Sequence, residues 1–355
     1  MTIKSFTALC AVTLVALVLA IVAILGQPRF ETSDPQKALV FPNLVKDVER
    51  LKTVVVRHAG ETHSFDWDGK KWTSRDESGY LASREKLTGV VVLLAQMAKI
   101  EGKTKEPSRY ARLEVEDPTA KSGRGRQVTL IDSDGKEIAN VIVGKRQYNM
   151  GSQTSNSYIR VPGDPQVWLA SGEMTPDMAL ADWLERGIAD ISPNLIARVT
   201  VTHPNGEKVV VARSSPESPA MVVESLPKAQ QAASATVAEE YARILTAIQM
   251  DDVEPAADKP FPKDKTTTAV IEGLTGASFT VEMAEIEGQE WIKIKAMAPA
   301  GGAAKPGDSG MIDLSTDWGK IVADVNARTD GWVFKVPEFQ IAPLKYRLAD
   351  LAKKA

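Results

Sequence analysis

Histidine and cysteine are nearly absent: the 355-residue chain has three of the former and one of the latter. So few imidazole and thiolate ligands exclude a zinc ribbon, an iron–sulfur site and a disulfide-stapled scaffold. No excess of charge exists either, since 43 basic residues face 46 acidic ones for a net of −3. Without a basic field the chain has no character of a nucleic-acid binder. Catalytic signatures are missing as well. There is no Gly-x-Ser-x-Gly elbow, and the sole cysteine, Cys10, lies in an apolar run. Gly123-Arg-Gly-Arg126 is basic and glycine-containing but lacks the Walker pattern that cradles phosphate, and it reads as a surface turn. What the chain does contain is apolar residues, 43% of the total, enough for a sizeable core spread over two domains.

Charge is wholly missing from residues 5–28, where positions 6–25 read FTALCAVTLVALVLAIVAIL. As a helix this run reaches about 30 Å, the thickness of a bilayer's hydrocarbon core, and it shows no polar stripe. It is longer than the about 7–15 apolar residues of a signal peptide and leaves through Gly26-Gln27-Pro28 with no Ala-x-Ala site. It therefore reads as a retained signal-anchor rather than a cleaved signal. Lys4 precedes the run, while Arg29 and Lys37 follow it beside Glu31 and Asp34, so the flanking charges are nearly balanced. A long C-terminal portion translocates largely regardless of such charges. The expectation is a single-pass protein of the inner (cytoplasmic) membrane whose C-terminal domain lies in the periplasm. No cysteine follows Cys10, so that domain has no disulfide framework.

Beyond the anchor, one pattern occurs twice. Residues 52–57 and 64–67 alternate around polar positions, and Asp68-Gly69 before Trp72 is a type I′ turn signal. A helix is expected over 83–100, capped by Ser83, with Leu87, Val90, Val91, Leu94 and Ala98 on one face. Strands follow near 127–132, 137–143, 157–161 and 167–170. The second stretch begins with strands at 197–202 and 207–213 around His203-Pro-Asn-Gly206. A helix is expected over 237–250, with Thr236 and Glu239 in capping-box spacing and Tyr241, Ile244, Leu245 and Ile248 on its apolar face. Strands near 267–272, 278–285 and 290–297 complete it. Trp183 trails Tyr158 by 25 residues and Trp318 trails Trp291 by 27, which suggests a shared trailer. Residues 214–233 and 298–308 read as linkers, and 331–337 with 342–353 as a strand and an amphipathic helix. The expected fold class is α+β: two tandem, related units of antiparallel sheet plus one packed helix, after a single N-terminal transmembrane helix. The boundaries are 1–28 for the anchor, 29–51 for the spacer, 52–196 for the first unit with its trailing helix, and 197–355 for the second. Chance similarity of two α+β hairpin units is the competing reading.

Several short motifs bear a family resemblance. They are Trp72 ahead of the Ser83 helix, Tyr110-Ala-Arg-Leu113, Asp117-Pro118, Val141-Ile-Val-Gly144, Tyr158-Ile-Arg160, Val167-Trp-Leu169, Ala181-Asp-Trp183 and the ending Gly331-Trp-Val-Phe…Val336-Pro337…Leu348-Ala-Asp-Leu351. With them the chain resembles the domain-of-unknown-function 4340 family of bacterial membrane-anchored proteins, departing at Tyr110-Ala-Arg-Leu113, where the family more often has Tyr-Gly-Leu. The resemblance implies an accessory envelope component associated with ABC-transporter subunits like those of gliding-motility systems.

Candidate chemistry is sparse. His58 and His63 flank a turn with Asp66 and Asp68 beyond, an acceptable zinc set in type, though all four residues are ordinary on the polar face of a strand. Asp66-Trp-Asp68-Gly69 and Asp132-Ser-Asp134-Gly135 resemble the start of a calcium loop. In the first, Lys70 occupies a ligand position before Glu77, so turn chemistry is the simpler account. The seven tryptophans, Trp67, Trp72, Trp168, Trp183, Trp291, Trp318 and Trp332, suit either core packing or a carbohydrate-stacking face. The residues expected to touch a ligand or partner are Trp67, Trp72, Tyr158, Arg160 and Trp168. No catalytic residue, cofactor or metal is expected. The leading expectation is a non-enzymatic membrane-anchored envelope scaffold or accessory subunit whose partners are other membrane subunits. The alternative is an exocytoplasmic glycan- or peptidoglycan-binding module, and a hydrolase comes third.

Overall fold

The computed structural model describes residues 39–353, apart from residue 120, residues 148–154, 173–178 and 300–315, and a few positions between 216 and 233. The apolar run at 6–25, residues 29–38 of the expected spacer and most of the 298–308 loop lie outside the described residues, whereas residues 39–51 of that spacer are described, with Val40 and Leu44 in the first core. Among the described residues no helix is long and apolar enough to cross a membrane.

The described part begins with a short helix, α1 (Leu44–Asp47), and the hairpin strands β1 (Leu51–His58), β2 (Glu61–Trp67) and β3 (Trp72–Ser74). Helix α2 (Arg84–Gln96) leads to β4 (Lys99–Thr104), and α3 (Tyr110–Leu113) precedes β5 (Arg126–Asp132), β6 (Glu137–Gln147), β7 (Asn156–Arg160) and β8 (Val167–Ser171). A junction of α4 (Leu180–Trp183) and β9 (Gly187–Ala189) follows. The second series comprises β10 (Ile196–Thr202), β11 (Lys208–Arg213), β12 (Met221–Val223), α5 (Ala235–Ala242), β13 (Ile248–Gln249), β14 (Asp252–Pro255), β15 (Thr267–Gly273), β16 (Ser278–Ile286) and β17 (Gln289–Met297). Helix α6 (Trp318–Thr329), β18 (Trp332–Lys335), α7 (Glu338–Ile341) and α8 (Leu348–Leu351) end it.

Two eight-stranded sheets result, in the orders β3-β2-β1-β5-β6-β7-β8-β4 and β12-β11-β10-β15-β16-β17-β18-β14. Every named pairing within them is antiparallel. Substituting each strand by its counterpart converts one order into the other. Even the irregularity is repeated: β1 slips against β5 between Leu51 and Thr53, and β10 slips against β15 between Ile196 and Arg198. In each sheet the helix carries the chain from one edge strand to the opposite one, so its apolar stripe lies across the inner face. Leu87, Val91 and Leu94 of α2 meet Val54, Val56, Val128, Val141 and Ile159, all buried. Ala238 and Tyr241 of α5 meet Val199, Val201, Ala269, Val281 and Ile292. Each fully buried aliphatic side chain of this kind contributes about 1.5–3 kcal/mol.

The α+β class with two antiparallel sheets is thus observed, with several local differences from expectation. Helix α2 is capped as expected, Ser83 Oγ accepting from Lys86 N at 3.4 Å, but it stops at Gln96. Residues beyond it are drawn into edge strand β4 by pairing with β8, a tertiary gain that overrides helix propensity. The second helix starts earlier, with Ser234 rather than Thr236 as its cap. It ends at Ala242, because Ile248 and Gln249 pair with β9. The expected helix over 342–353 is broken by a 3-10 turn containing Pro343, leaving only α8. Asp68-Gly69 is not a two-residue turn: Asp68 N–H donates to the Lys71 carbonyl across a four-residue loop. The two-residue turn is Ala59-Gly60, whose φ values of 50° and 82° are those of type I′. The shared trailer also fails. Trp318 opens α6, which is inserted between β17 and β18, whereas Trp183 follows the last strand of its sheet.

Candidate functional site

The five residues expected to contact a ligand or partner occupy two opposite faces of the first sheet. Trp67 and Trp72 meet at a tilt of 46° with 5.4 Å between ring centroids, and the Arg84 guanidinium lies 5.3 Å from the Trp67 ring. Trp168 lies under the Lys99 ammonium at 4.9 Å. These three rings pack against the inner core beneath α2. Tyr158 and Arg160 point to the outer face, where Tyr158 joins Tyr110 and Leu113 around Val115, Ile142 and Val167. The set does not converge. None of the seven tryptophans is exposed, and Trp72, Trp183, Trp291 and Trp318 are buried.

What does converge is the group of motifs on the outer face around Arg160. The segment between β4 and β5 folds back over β6 and β7, and Arg160, 6% exposed, ties it down. Its Nε donates to the Val115 carbonyl at 2.9 Å, its Nη2 donates to Asp117 Oδ1 at 2.8 Å, and its guanidinium lies 4.7 Å from the Tyr110 ring. Tyr110 in turn donates its hydroxyl to the Pro165 carbonyl at 2.7 Å. The approach is close enough to demand glycine. A Cβ on Gly144 would fall 2.2 Å from the Leu113 carbonyl oxygen, and one on Gly125 2.2 Å from that of Glu116. The Gly123–Arg126 turn belongs to the same contact, since Arg124 and Arg126 face Glu114 at 3.5 and 3.8 Å. Arg160 is thereby spent on holding backbone and ring, and its own charge does not face solvent.

The second sheet treats the equivalent place differently. Pairing registers run Arg126–Val143–Ile159 in the first sheet and Thr267–Met283–Ile292 in the second. This sets Trp291 in the place of Tyr158 and Lys293 in that of Arg160. The glycine positions 125 and 144 become Thr266 and Ala284. Here the overlying residues 256–266 stand off from the strands, and a cavity of about 500 Å³ opens, lined by Lys259, Lys263, Lys293, Phe261, Thr268 and Glu282 among others. Lys259 lies 4.0 Å from the buried Trp291 ring and 3.0 Å from Glu254. The cation–aromatic contact is kept with its partners exchanged: the sheet supplies the ring and the overlying segment the cation. Sequence reasoning paired Tyr158 with Trp291, yet it did not carry that pairing two residues on to Lys293, nor to Lys259 and Lys263 in the loop before β15.

The acidic and histidine candidates are engaged locally. His58 Nδ1 is 3.3 Å from the Gly125 carbonyl, and His63 lies 3.9 Å from Glu61 and 3.8 Å from Asp76. Asp68 Oδ1 accepts from Lys70 N and Lys71 N, both at 2.8 Å, and these bonds hold its carboxyl below the ordinary range. Burial alone raises Asp66, but hydrogen bonds from Arg75 and Thr53 outweigh it and lower the group. Asp132 accepts from Lys136 N at 2.9 Å and Asp134 N at 3.0 Å and pairs with Arg50 at 2.9 Å, and it too is lowered, chiefly by the Lys136 bond. Both presumptive calcium-loop starts are therefore turn caps. Among the described residues no three His, Cys, Asp or Glu side chains gather as a metal site requires.

Architecture and site together define an α+β protein of two like-ordered antiparallel sheets, each with an overlying outer segment. The family profile described as Domain of unknown function (DUF4340) matches residues 72–267, more than half of the chain, and the protein belongs to that family. The match spans the whole outer contact around Arg160 and ends at the first residue of β15. No curated protein and no solved structure matches the chain.

Proposed function

We propose that the protein is a non-enzymatic, membrane-anchored envelope component, an accessory or scaffold subunit of an ABC-transporter-like complex, with its two sheets on the periplasmic side. The like order of the two sheets supports their origin as tandem related units. The observation that carries the functional reading is the joining of an uncharged 20-residue run at 6–25 to a body whose sheets interlock. Tyr80, from the first series, sits with no exposed surface in the core of the second, 5.0 Å from Trp332 and 6.0 Å from Phe334. Such an interlocked body on one tether suits a scaffold better than a hinged enzyme. A glycan-stacking module needs exposed rings, and all seven tryptophans are at least half-buried within the fold.

The test is affinity purification of the full chain from membranes solubilised in mild detergent. Polytopic transporter subunits are expected to co-purify, and a C-terminal alkaline phosphatase fusion is expected to be active. Recovery of intact full-length protein from the soluble cytosolic fraction without detergent overturns the proposal.

A further inference from the structure

We infer that the cavity on the outer face of the second sheet is a binding site for a phosphate-bearing ligand, held by Lys263 and Lys293 with Lys259 behind them. The inference stands apart from membrane anchoring and from any transporter partner. It rests on the contrast between equivalent places in the two sheets. In the first, Gly125 and Gly144 let the overlying segment touch the strands, and Arg160 is consumed by Val115, Asp117 and Tyr110. In the second, the side chains of Thr266 and Ala284 replace those glycines, the segment stands off, and about 500 Å³ is left open. The cation at the Arg160 place, Lys293, is now exposed and has no ion pair among the described residues, and the same holds for Lys263 on the facing segment.

The lining sets three lysines against one glutamate, Glu282. Lys259 is already neutralised by Glu254 and fixed over Trp291, so it shapes the wall while the other two supply unpaired charge. Thr266 turns its hydroxyl back to the Pro262 carbonyl at 2.7 Å, which braces the segment and leaves Thr268 as the hydroxyl facing the opening. Ammonium groups are compact point charges with three donors each. They suit a small, multiply charged oxyanion better than the planar, singly charged carboxylate that a guanidinium fork matches. A phosphate monoester, carrying about −1.5 to −2 at neutral pH, fits two free ammoniums. The phosphate can belong to a soluble metabolite or to a lipid headgroup.

The experiment uses the full chain in a phosphate-free maltoside detergent, with pyrophosphate as probe and tryptophan fluorescence and calorimetry as readouts. Trp291 lies against Lys259, so occupancy is expected to change its emission. Saturable binding is expected, weakened about tenfold in the Lys263→Gln/Lys293→Gln double variant, the loss that removing charge-assisted hydrogen bonds predicts. Lys208→Gln, on β11, is expected to bind as the parent does. Both altered lysines are exposed, and an unchanged Tm and circular dichroism spectrum confirm that the variant is folded. Dioctanoyl phosphatidic acid, whose headgroup is itself a phosphate monoester, competing with pyrophosphate where dioctanoyl phosphatidylcholine does not, identifies a lipid headgroup as the source. Failure of both lipids to compete identifies a soluble phosphorylated ligand. Absence of saturable binding of pyrophosphate and of phosphatidic acid up to about 10 mM, or equal affinity in the double variant and the parent, overturns the inference.

Discussion

Arg160 shows how one side chain fixes a whole segment. Its guanidinium replaces water at the Val115 carbonyl, at Asp117 and at the Tyr110 face simultaneously. Arg160→Ala leaves the Val115 carbonyl without its donor, and a loss of about 2–4 kcal/mol is expected in chemical denaturation. Arg160→Lys is expected to recover less than half of that, because one ammonium cannot serve three differently directed partners. Tyr158-Ile-Arg160 was visible in the sequence as a motif, but its role was not. Nothing local shows that the partners lie some 45 residues earlier, so Arg160 reads as a contact residue until the chain is folded. His203 is a second single-residue determinant. It is 3% exposed, and its Nε2–H donates to the Tyr346 carbonyl at 3.0 Å. Burial, with the nearby Arg347 charge second, lowers its pKa below the ordinary value, so the folded protein favours the neutral ring. A group depressed in this way contributes stability above its unfolded pKa of about 6.5 and loses it as pH falls through the folded value. Tm is therefore expected to drop between pH 7 and pH 5, and His203→Gln is expected to flatten that part of the profile; an unaltered profile in the variant refutes the assignment.

Elements that could be read from sequence are those whose pattern is set by their own neighbours. The hairpins, β5 to β8 and β15 to β17 follow from period-two alternation and turn residues, and Ser83 and Leu87 mark the start and inner face of α2. The elements that escaped are the ones defined by distant partners. Edge strands β4 and β14 carry charged, half-exposed residues and exist only because β8 and β18 offer an unpaired side. Helix α6 escaped for the same reason. Strand β18 pairs with β17 only at Trp291 and Ile292, which leaves the far half of β17 without a strand neighbour on that side among the described residues. Helix α6 fills the gap with a side chain: Asn326 Nδ2 donates to the Ala296 carbonyl and Asn326 Oδ1 accepts from Ala296 N, both at 2.9 Å. One amide thus stands in for a missing strand residue. Asn326→Leu keeps the approximate size and raises helix propensity but orphans two buried backbone groups, and a loss of about 2–4 kcal/mol is expected. Accelerated hydrogen exchange at Ala296 N–H would localise it. Gly144→Ala tests the other close contact between elements. Its Cβ meets the Leu113 carbonyl at 2.2 Å, so the first outer segment must lift, with an expected loss of about 1–3 kcal/mol and increased exchange confined to residues near 110–117.

At the scale of the molecule, the question is whether the two sheets unfold as one body. Their shared material is concentrated at the junction. Tyr80 inserts between Trp332 and Phe334, and its hydroxyl donates to the Glu185 carbonyl at 3.0 Å. Burial pushes that hydroxyl well above its usual pKa, so it remains a donor at any working pH. Beside it, β9 pairs with β13, Arg328 reaches the Gly187 carbonyl at 3.5 Å, and Arg186 faces Asp251 at 3.6 Å. The last two are long or exposed contacts and contribute little. The aromatic insertion is the strong link. Tyr80→Phe keeps the ring and loses one hydrogen bond, so a single cooperative transition shifted by about 1 kcal/mol is expected. Tyr80→Ala leaves a large cavity in the second core and removes the main contact between sheets, at an expected cost of about 3–5 kcal/mol. Because each sheet has its own helix-covered core, losing the link should separate their transitions. Calorimetry of Tyr80→Ala is therefore expected to give two resolved peaks where the parent gives one. A single peak shifted as a whole would mean that β9 and β13 suffice to couple the sheets, and the rigid-body basis of the scaffold reading would then rest on that ribbon instead of on the tyrosine.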